Sequence, residues 1–190
     1  MRNLIIFGPP GSGKGTQSEH IAKKYNLAHI STGDIFRSEI KKETELGLKV
    51  KGLIEKGELV PDELLIDILK SAMQKFENVD GFIFDGFPRT IPQAKDLDEV
   101  MDELNDYINV VLALDVKDDE VITRLLKRAE LQGRKDDTED VIKNRLSIYK
   151  EQTEPLLEYY AQKDKLKMIH GVGGIEDIFK ALCEVIDKAE

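Results

Sequence analysis

Residues 8–16 read GPPGSGKGT, and the fold turns on this stretch. Gly8, Gly13 and Lys14 satisfy the phosphate-loop pattern G-x-x-x-x-G-K-[ST], but Gly15 stands where the hydroxyl belongs and Thr16 arrives one place late. The flanks suit a phosphate loop. NLIIF (3–7) reads as a buried strand, and KGTQSEHIAKKY (14–25) reads as a helix. Gly11 and Gly13 let the backbone approach a polyphosphate, whose charge is stabilised by the N–H groups of Ser12 and its neighbours and by the helix N-terminus. Lys14 is placed to reach the β- and γ-phosphates. Gly15 cannot ligate Mg²⁺ as a hydroxyl would, so the metal is expected to be held more by phosphates and water, while Thr16 donates to a phosphate from the first helical turn. The bland alternative is a Gly/Pro-rich surface turn.

Outward from the loop, GFIF (81–84), NVVLALDV (109–116) and LKMI (166–169) are further apolar runs, with LAHI (27–30) a weaker one. Helical patterns lie between them. Residues 62–76 align Leu65, Ile68, Leu69, Ala72, Met73 and Phe76, and residues 91–104 align Ala94, Leu97, Val100, Met101 and Leu104. VITRLLKRA (121–129) is helical, as is 137–160, which is interrupted or restarted near Pro155. The last helix aligns Ile175, Ile178, Phe179, Leu182, Val185 and Ile186. Apolar strands alternating with amphipathic helices predict an α/β fold, a three-layer α/β/α sandwich on a five-stranded parallel sheet, in a single domain over 1–190. Ligands in such folds bind beyond the carboxyl ends of the strands, where the 8–16 loop lies.

The net charge of −9 argues against a nucleic-acid-coating surface, although a few arginines focused in one cleft can still bind small phosphates. No apolar run is long enough to cross a bilayer, and the opening MRNLIIFGPP is too short for a signal peptide, so cytoplasm is the expected compartment. Cys183, the single cysteine, excludes a disulfide framework or a Cys-rich zinc site within one chain. His20, His29 and His170 have no metal spacing, and Cys183, Tyr159 and Tyr160 read as packing residues.

The Gly-Lys-Gly-Thr variant resembles the adenylate kinase family. So do STGDIFR (31–37), GELVPDEL (57–64), DGFPRTIPQ (85–93) and GRKDD (133–137), in the family's order and over essentially the whole chain. The resemblance implies transfer of a phosphoryl group from Mg-ATP to AMP, giving two ADP, in a monomer with a helical NMP-binding insertion at about 31–60 and a short lid at about 128–138. Thr32 and Arg37 would touch the AMP, Arg37 gripping its phosphate; Glu58, Leu59 and Val60 would line its base. Ser31 or Thr32 reads equally as a helix cap, with Asp34 in the first turn. In DGFPRTIPQ, Asp85 ends a strand and can hold a Mg²⁺-bound water, or simply start the turn at Gly86. Gly86, Phe87, Pro88 and Arg89 would face the AMP, with Arg89 the second phosphate clamp and the Phe87–Pro88 bond cis. Gln93 completes a capping box with Thr90, and the family uses a glutamine here to read adenine. The similar uridylate–cytidylate kinases carry asparagines in this stretch instead.

Arg124 and Arg128 stand at i and i+4, a repulsive spacing that an anionic ligand would reverse, and Arg134 and Arg145 make four arginines within 22 residues. A solvated face is the plain reading. By resemblance, Arg124 and Arg128 serve ATP, Arg134 and Arg145 meet the phosphates being exchanged, and Gly173, with Gly171 and Val172, meets the donor adenine. Asp136 and Asp137 start the next helix, with Asp140 completing a cap, or orient the lid arginines by ion pairs. Only AELQG (129–133) separates Arg128 from Arg134, so the lid is short and lacks the zinc-bearing insert of long-lid relatives. The rivals are a UMP or CMP kinase, a GTPase switch, whose N-K-x-D motif is missing, and a non-catalytic nucleotide binder, which would lack the acceptor arginines.

Overall fold

In the computed structural model, residues 1–133 and 137–189 are described. The chain runs β1 (Leu4–Phe7), α1 (Lys14–Tyr25), β2 (Ala28–Ser31), α2 (Thr32–Lys41), α3 (Glu45–Lys56), α4 (Asp62–Met73), β3 (Phe82–Asp85) and α5 (Ile91–Glu103). It continues through β4 (Val110–Asp115), α6 (Asp118–Gln132), α7 (Glu139–Ile148), a π-helical turn (Tyr149–Thr153), α8 (Pro155–Ala161), β5 (Leu166–His170) and α9 (Ile175–Ile186). The strands form one five-stranded sheet in the order β2-β3-β1-β4-β5. Every pairing is parallel.

Period-two alternation along the strands splits the core in two. Ile5, Phe7, Phe84, Val111 and Ala113 face a layer containing Leu69, Leu97, Met101, Leu156 and Tyr160. Leu4, Ile6, Ile83, Leu112 and Leu114 face Ile21, Ile178, Leu182 and Ile186 of α1 and α9. Each such aliphatic side chain, fully buried, contributes about 1.5–3 kcal/mol, so both faces of the sheet need their helices. A third cluster, Val121 and Leu125 of α6 with Ile142 and Leu146 of α7, roots the segment carrying the arginines.

The sheet has the predicted order of elements, and LAHI forms β2. Three stripe residues miss the core. Phe76 is 43% exposed because α4 ends at Met73, before that position can keep its phase. Leu104 is the C-cap of α5, and Ile175 is the first residue of α9; both stand at helix ends and are 48% and 54% exposed. The interruption near Pro155 takes the form of a π turn, after which α8 restarts at the proline. Proline offers no N–H and its ring crowds the carbonyl four residues back. The chain widens just before it, and Glu154 N–H reaches Tyr149 O at 2.8 Å, five residues back. No helix among the described residues is long and apolar enough to cross a membrane.

Candidate functional site

β1 lies between β3 and β4, where the order of crossovers reverses, so loops after β1 and β3 splay apart above it. The first of these is the 8–16 loop. Gly13, at φ 98°, caps α1 from the left-handed region, which a glycine enters without cost. Gly11 also has positive φ (82°), and a Cβ there would lie 2.7 Å from Leu125 Cγ, so α6 packs directly on the loop. Ser12 is buried, and its N–H donates to Pro9 O at 3.1 Å, which closes the turn of the loop.

Lys14 Nζ donates to Gly8 O and Pro9 O at 2.7 and 2.9 Å, curling back over its own loop. Burial depresses its pKa to about 8; Asp85 opposes this, and Arg89, Arg128 and Arg145 reinforce it. Burial and the three arginines thus outweigh the single carboxylate of Asp85 at this ammonium.

A cavity of about 440 Å³ opens over the loop. Gly11, Gly13, Lys14, Gly15 and Thr16 line one wall; Arg124, Arg128 and Arg145 line another, and Arg37, Leu59, Asp85, Gly86, Pro88 and Arg89 complete it. A recess of about 40 Å³ continues from it between Thr32, Phe36, Ile54, Glu58, Val60 and Leu65. Residues scattered over more than a hundred positions therefore surround one space.

Each cation is held by the protein. Arg37 pairs with Asp34 Oδ1 at 2.5 Å, on a helix whose N-cap Ser31 accepts from Asp34 N at 3.3 Å. Thr32 Oγ1 donates to Gly86 O (2.9 Å), and Arg89 Nε donates to the same oxygen (2.7 Å). Burial, and then the Arg145 guanidinium, press the pKa of Arg89 below an arginine's ordinary value, while Asp85 pulls it up. Arg124 pairs with Glu120 (2.7 Å) and donates to Ser12 O and Gly171 O at 3.3 and 3.1 Å, tying the phosphate loop to the end of β5. Asp137, its side chain fully buried, ion-pairs with Arg128 (2.6 Å) and Arg145 (2.9 Å). α7 itself starts two residues later, at Glu139, with Thr138 in the N-cap position. The Phe87–Pro88 bond is cis.

Residues 6–165 match the family model described as adenylate kinase. Over 187 residues the chain is 53% identical to an adenylate kinase of Bacteroides fragilis, covering 98% of this chain and 99% of that one. The chain belongs to the adenylate kinase family. An adenylate kinase of Bacteroides thetaiotaomicron is 51% identical over 188 residues, with 99% and 100% of the two chains covered. One from Methanococcoides burtonii is 42% identical over 212 aligned positions, with 98% and 99% covered.

Against the family pattern, Arg134 and Asp136 fall outside the described residues. Phe87, 1% exposed, packs in the core. Gly173 stands exposed after β5 at φ 136°, off the cavity lining. Gln93 is 1% exposed and lines neither space. Its Oε1 accepts from Arg89 N (2.7 Å) and its Nε2 donates to Asp62 Oδ1 (2.6 Å), while Thr90 accepts from Gln93 N (3.3 Å) as N-cap. The capping half of the sequence reading is thus realised, but the glutamine side chain reaches the residue before the cap.

Ile148, Tyr149 and Thr153 line the cavity without having been singled out in the sequence. All three come from the π turn or its edge, and Pro155 was the available signal. Asp85 is 9% exposed, with His29 Nε2 3.5 Å from its Oδ2. A Cβ on Gly15 would stand 3.6 Å from Asp85 Oδ2, so the missing side chain after Lys14 leaves the carboxylate open toward the loop. One hard oxygen donor facing a phosphate loop fits Mg²⁺ that keeps waters and phosphates as its other ligands.

Proposed function

We propose that this chain catalyses reversible transfer of the terminal phosphoryl group of Mg-ATP to AMP, giving two ADP, with no covalent intermediate. The observation that carries the reading is convergence. Lys14 of the phosphate loop and Arg37, Arg89, Arg128 and Arg145, from four other segments, line one cavity. ATP takes the end over Gly11–Thr16, its phosphates on the loop amides and Lys14, with Arg124 and Arg128 alongside. AMP takes the end that leads into the recess, its phosphate on Arg37 and Arg89 and its base among Glu58, Leu59 and Val60. Arg134 and Arg145 meet the phosphates being exchanged, and Gly173 lies near the donor adenine.

Asp85 would hold Mg²⁺ through a bound water. When bound, the ion neutralises developing charge on the β- and γ-oxygens. The AMP phosphate is already an anionic nucleophile, so no general base is required. What the chain supplies is in-line positioning and charge neutralisation. The region of about 31–60 acts as a flap and that of about 128–138 as a short lid, closing to keep water from intercepting the phosphoryl group. The working form is a monomer in the cytoplasm.

Adenine selection is assigned to Gln93, whose buried amide lines neither space and would have to open toward the recess to meet the base. An amide offers two N–H groups and two lone pairs. One of each is engaged by Asp62 and Arg89, and the pair left over matches the acceptor–donor edge of adenine. The decisive experiment measures ADP formation from Mg-ATP with AMP, UMP, CMP, GMP or dTMP. AMP is expected to be used at least about 10²-fold better than the others, because wrong bases leave the buried amide unpaired. Faster turnover with UMP or CMP would overturn the base assignment; no turnover with any acceptor would overturn the enzyme assignment.

Lys14 adds a pH signature. Polyphosphate restores the advantage of the charged ammonium, so its pKa rises on binding and ATP uptake carries a proton once the free site begins to deprotonate near pH 8. Affinity for ATP should be level from pH 6 to 7 and fall by up to about tenfold per unit above 8. Titration calorimetry in two buffers of different ionisation enthalpy measures both effects. Constant affinity through pH 9 with no proton uptake would refute this account of the lysine.

A further inference from the structure

The Arg89 backbone sits in no regular element, between a cis proline and the Thr90 cap, yet both its peptide groups are held by side chains. Its N–H donates to Gln93 Oε1 at 2.7 Å. Its carbonyl accepts from Thr153 Oγ1 at 2.9 Å, across the cavity wall from the π turn. Nε is held on Gly86 O (2.7 Å), which leaves the terminal guanidinium nitrogens as the groups able to fork onto phosphate. Thr153 is 7% exposed and lines the cavity beside Arg89. It therefore reaches Arg89 from an element unrelated to the loop that carries it.

The π turn explains why Thr153 can do this. One residue rotates a helix by about 100°, so the extra residue in the turn re-phases the downstream chain by that angle relative to an unbroken helix. Glu154 N–H reaches Tyr149 O, and Pro155 then begins α8, which Leu156 and Tyr160 anchor in the core with no exposed surface. The threonine is thereby fixed in azimuth by a proline on one side and buried side chains on the other.

We propose that Thr153 is a positioning residue for the Arg89 clamp, delivered to the cavity wall by the π turn ahead of Pro155. The proposal rests on the reading of Arg89 as a phosphate clamp. The Thr153 hydroxyl is committed to the Arg89 carbonyl, so the threonine acts on substrate through the arginine. It holds the carbonyl from which the arginine projects, and small displacements of a clamp are costly to a reaction that depends on alignment.

The test compares Thr153→Val, which keeps the shape and loses the hydroxyl, with Thr153→Ser, which keeps the hydroxyl. Each is assayed in the Mg-ATP plus AMP reaction and by thermal melting. T153V should lower kcat/KM for AMP by about tenfold or more while KM for ATP stays within about twofold, and T153S should restore the parent value to within about twofold. In an Arg89→Ala background, adding T153V should change the residual rate by less than about twofold, because the effect travels through Arg89. If the valine variant fails to fold, Thr153→Ala removes the same hydroxyl.

A hydroxyl-less variant with parental kinetics would overturn the proposal. So would equal losses in T153V and T153S, or the same loss with Arg89 absent. If R89A itself is fully active, the clamp reading falls and this proposal with it; if R89A is crippled and T153V is not, this proposal alone falls.

Discussion

Arg89→Ala should lower kcat/KM for AMP by about 10³-fold, a loss of roughly 4 kcal/mol in transition-state binding, while the protein still folds. The side chain lies in the cavity wall with its Nε already committed to Gly86 O, so little reorganisation remains when phosphate arrives. Its neighbours raise the stakes. Burial and the Arg145 charge disfavour the guanidinium, Asp85 offsets part of this, and a phosphate bound between the two arginines would offset more. Arg89→Lys should fall between alanine and the parent, since an ammonium keeps the charge but cannot hold two oxygens in one plane. Steady-state kinetics with AMP varied, alongside a melting curve, decide the matter. A rate within tenfold of the parent would remove Arg89 from the mechanism.

Lys14→Met should separate activity from stability. Turnover is expected to drop by about 10²–10³-fold, the usual cost of losing a preorganised positive group at the transferred phosphate. The folded chain should melt no lower than the parent. Burial presses the Lys14 pKa down to about 8, which means the folded protein disfavours the charge by on the order of 3 kcal/mol relative to water. Methionine gives up the bonds to Gly8 O and Pro9 O but also that penalty. A melting temperature well below the parent's would show that those two bonds outweigh the desolvation. Near-normal turnover would show that the loop amides and arginines suffice without the lysine.

Much of this site could be read from residue types because its chemistry is local. Gly11 and Gly13 sit at positive φ in a loop written between a strand and a helix, and Lys14 comes next at its fixed offset. The Ser31 and Thr90 caps and the break at Pro155 likewise depend on residues within a few positions of one another. Periodicity identified the faces of the helices, but not whether anything covers them. Phe76 and Ile175 carry the right phase and remain exposed, since α4 stops before one and α9 only begins at the other.

The pairings across the cavity belong to a different scale. Nothing near Asp62 in the chain announces Gln93, 31 residues away, nor does anything near Thr153 announce the Arg89 carbonyl, 64 residues away. Asp137 reads equally well as a helix start, and becomes an anchor for Arg128 and Arg145 because α6 and α7 pack on the Val121–Leu146 cluster and bring both guanidiniums to it. Turns, caps and alternation arise from torsional preferences and bonds between near neighbours, which every short segment carries with it. Which carboxylate restrains which arginine depends on side-chain packing between segments, and those distances come into being only when the two core layers close on the sheet.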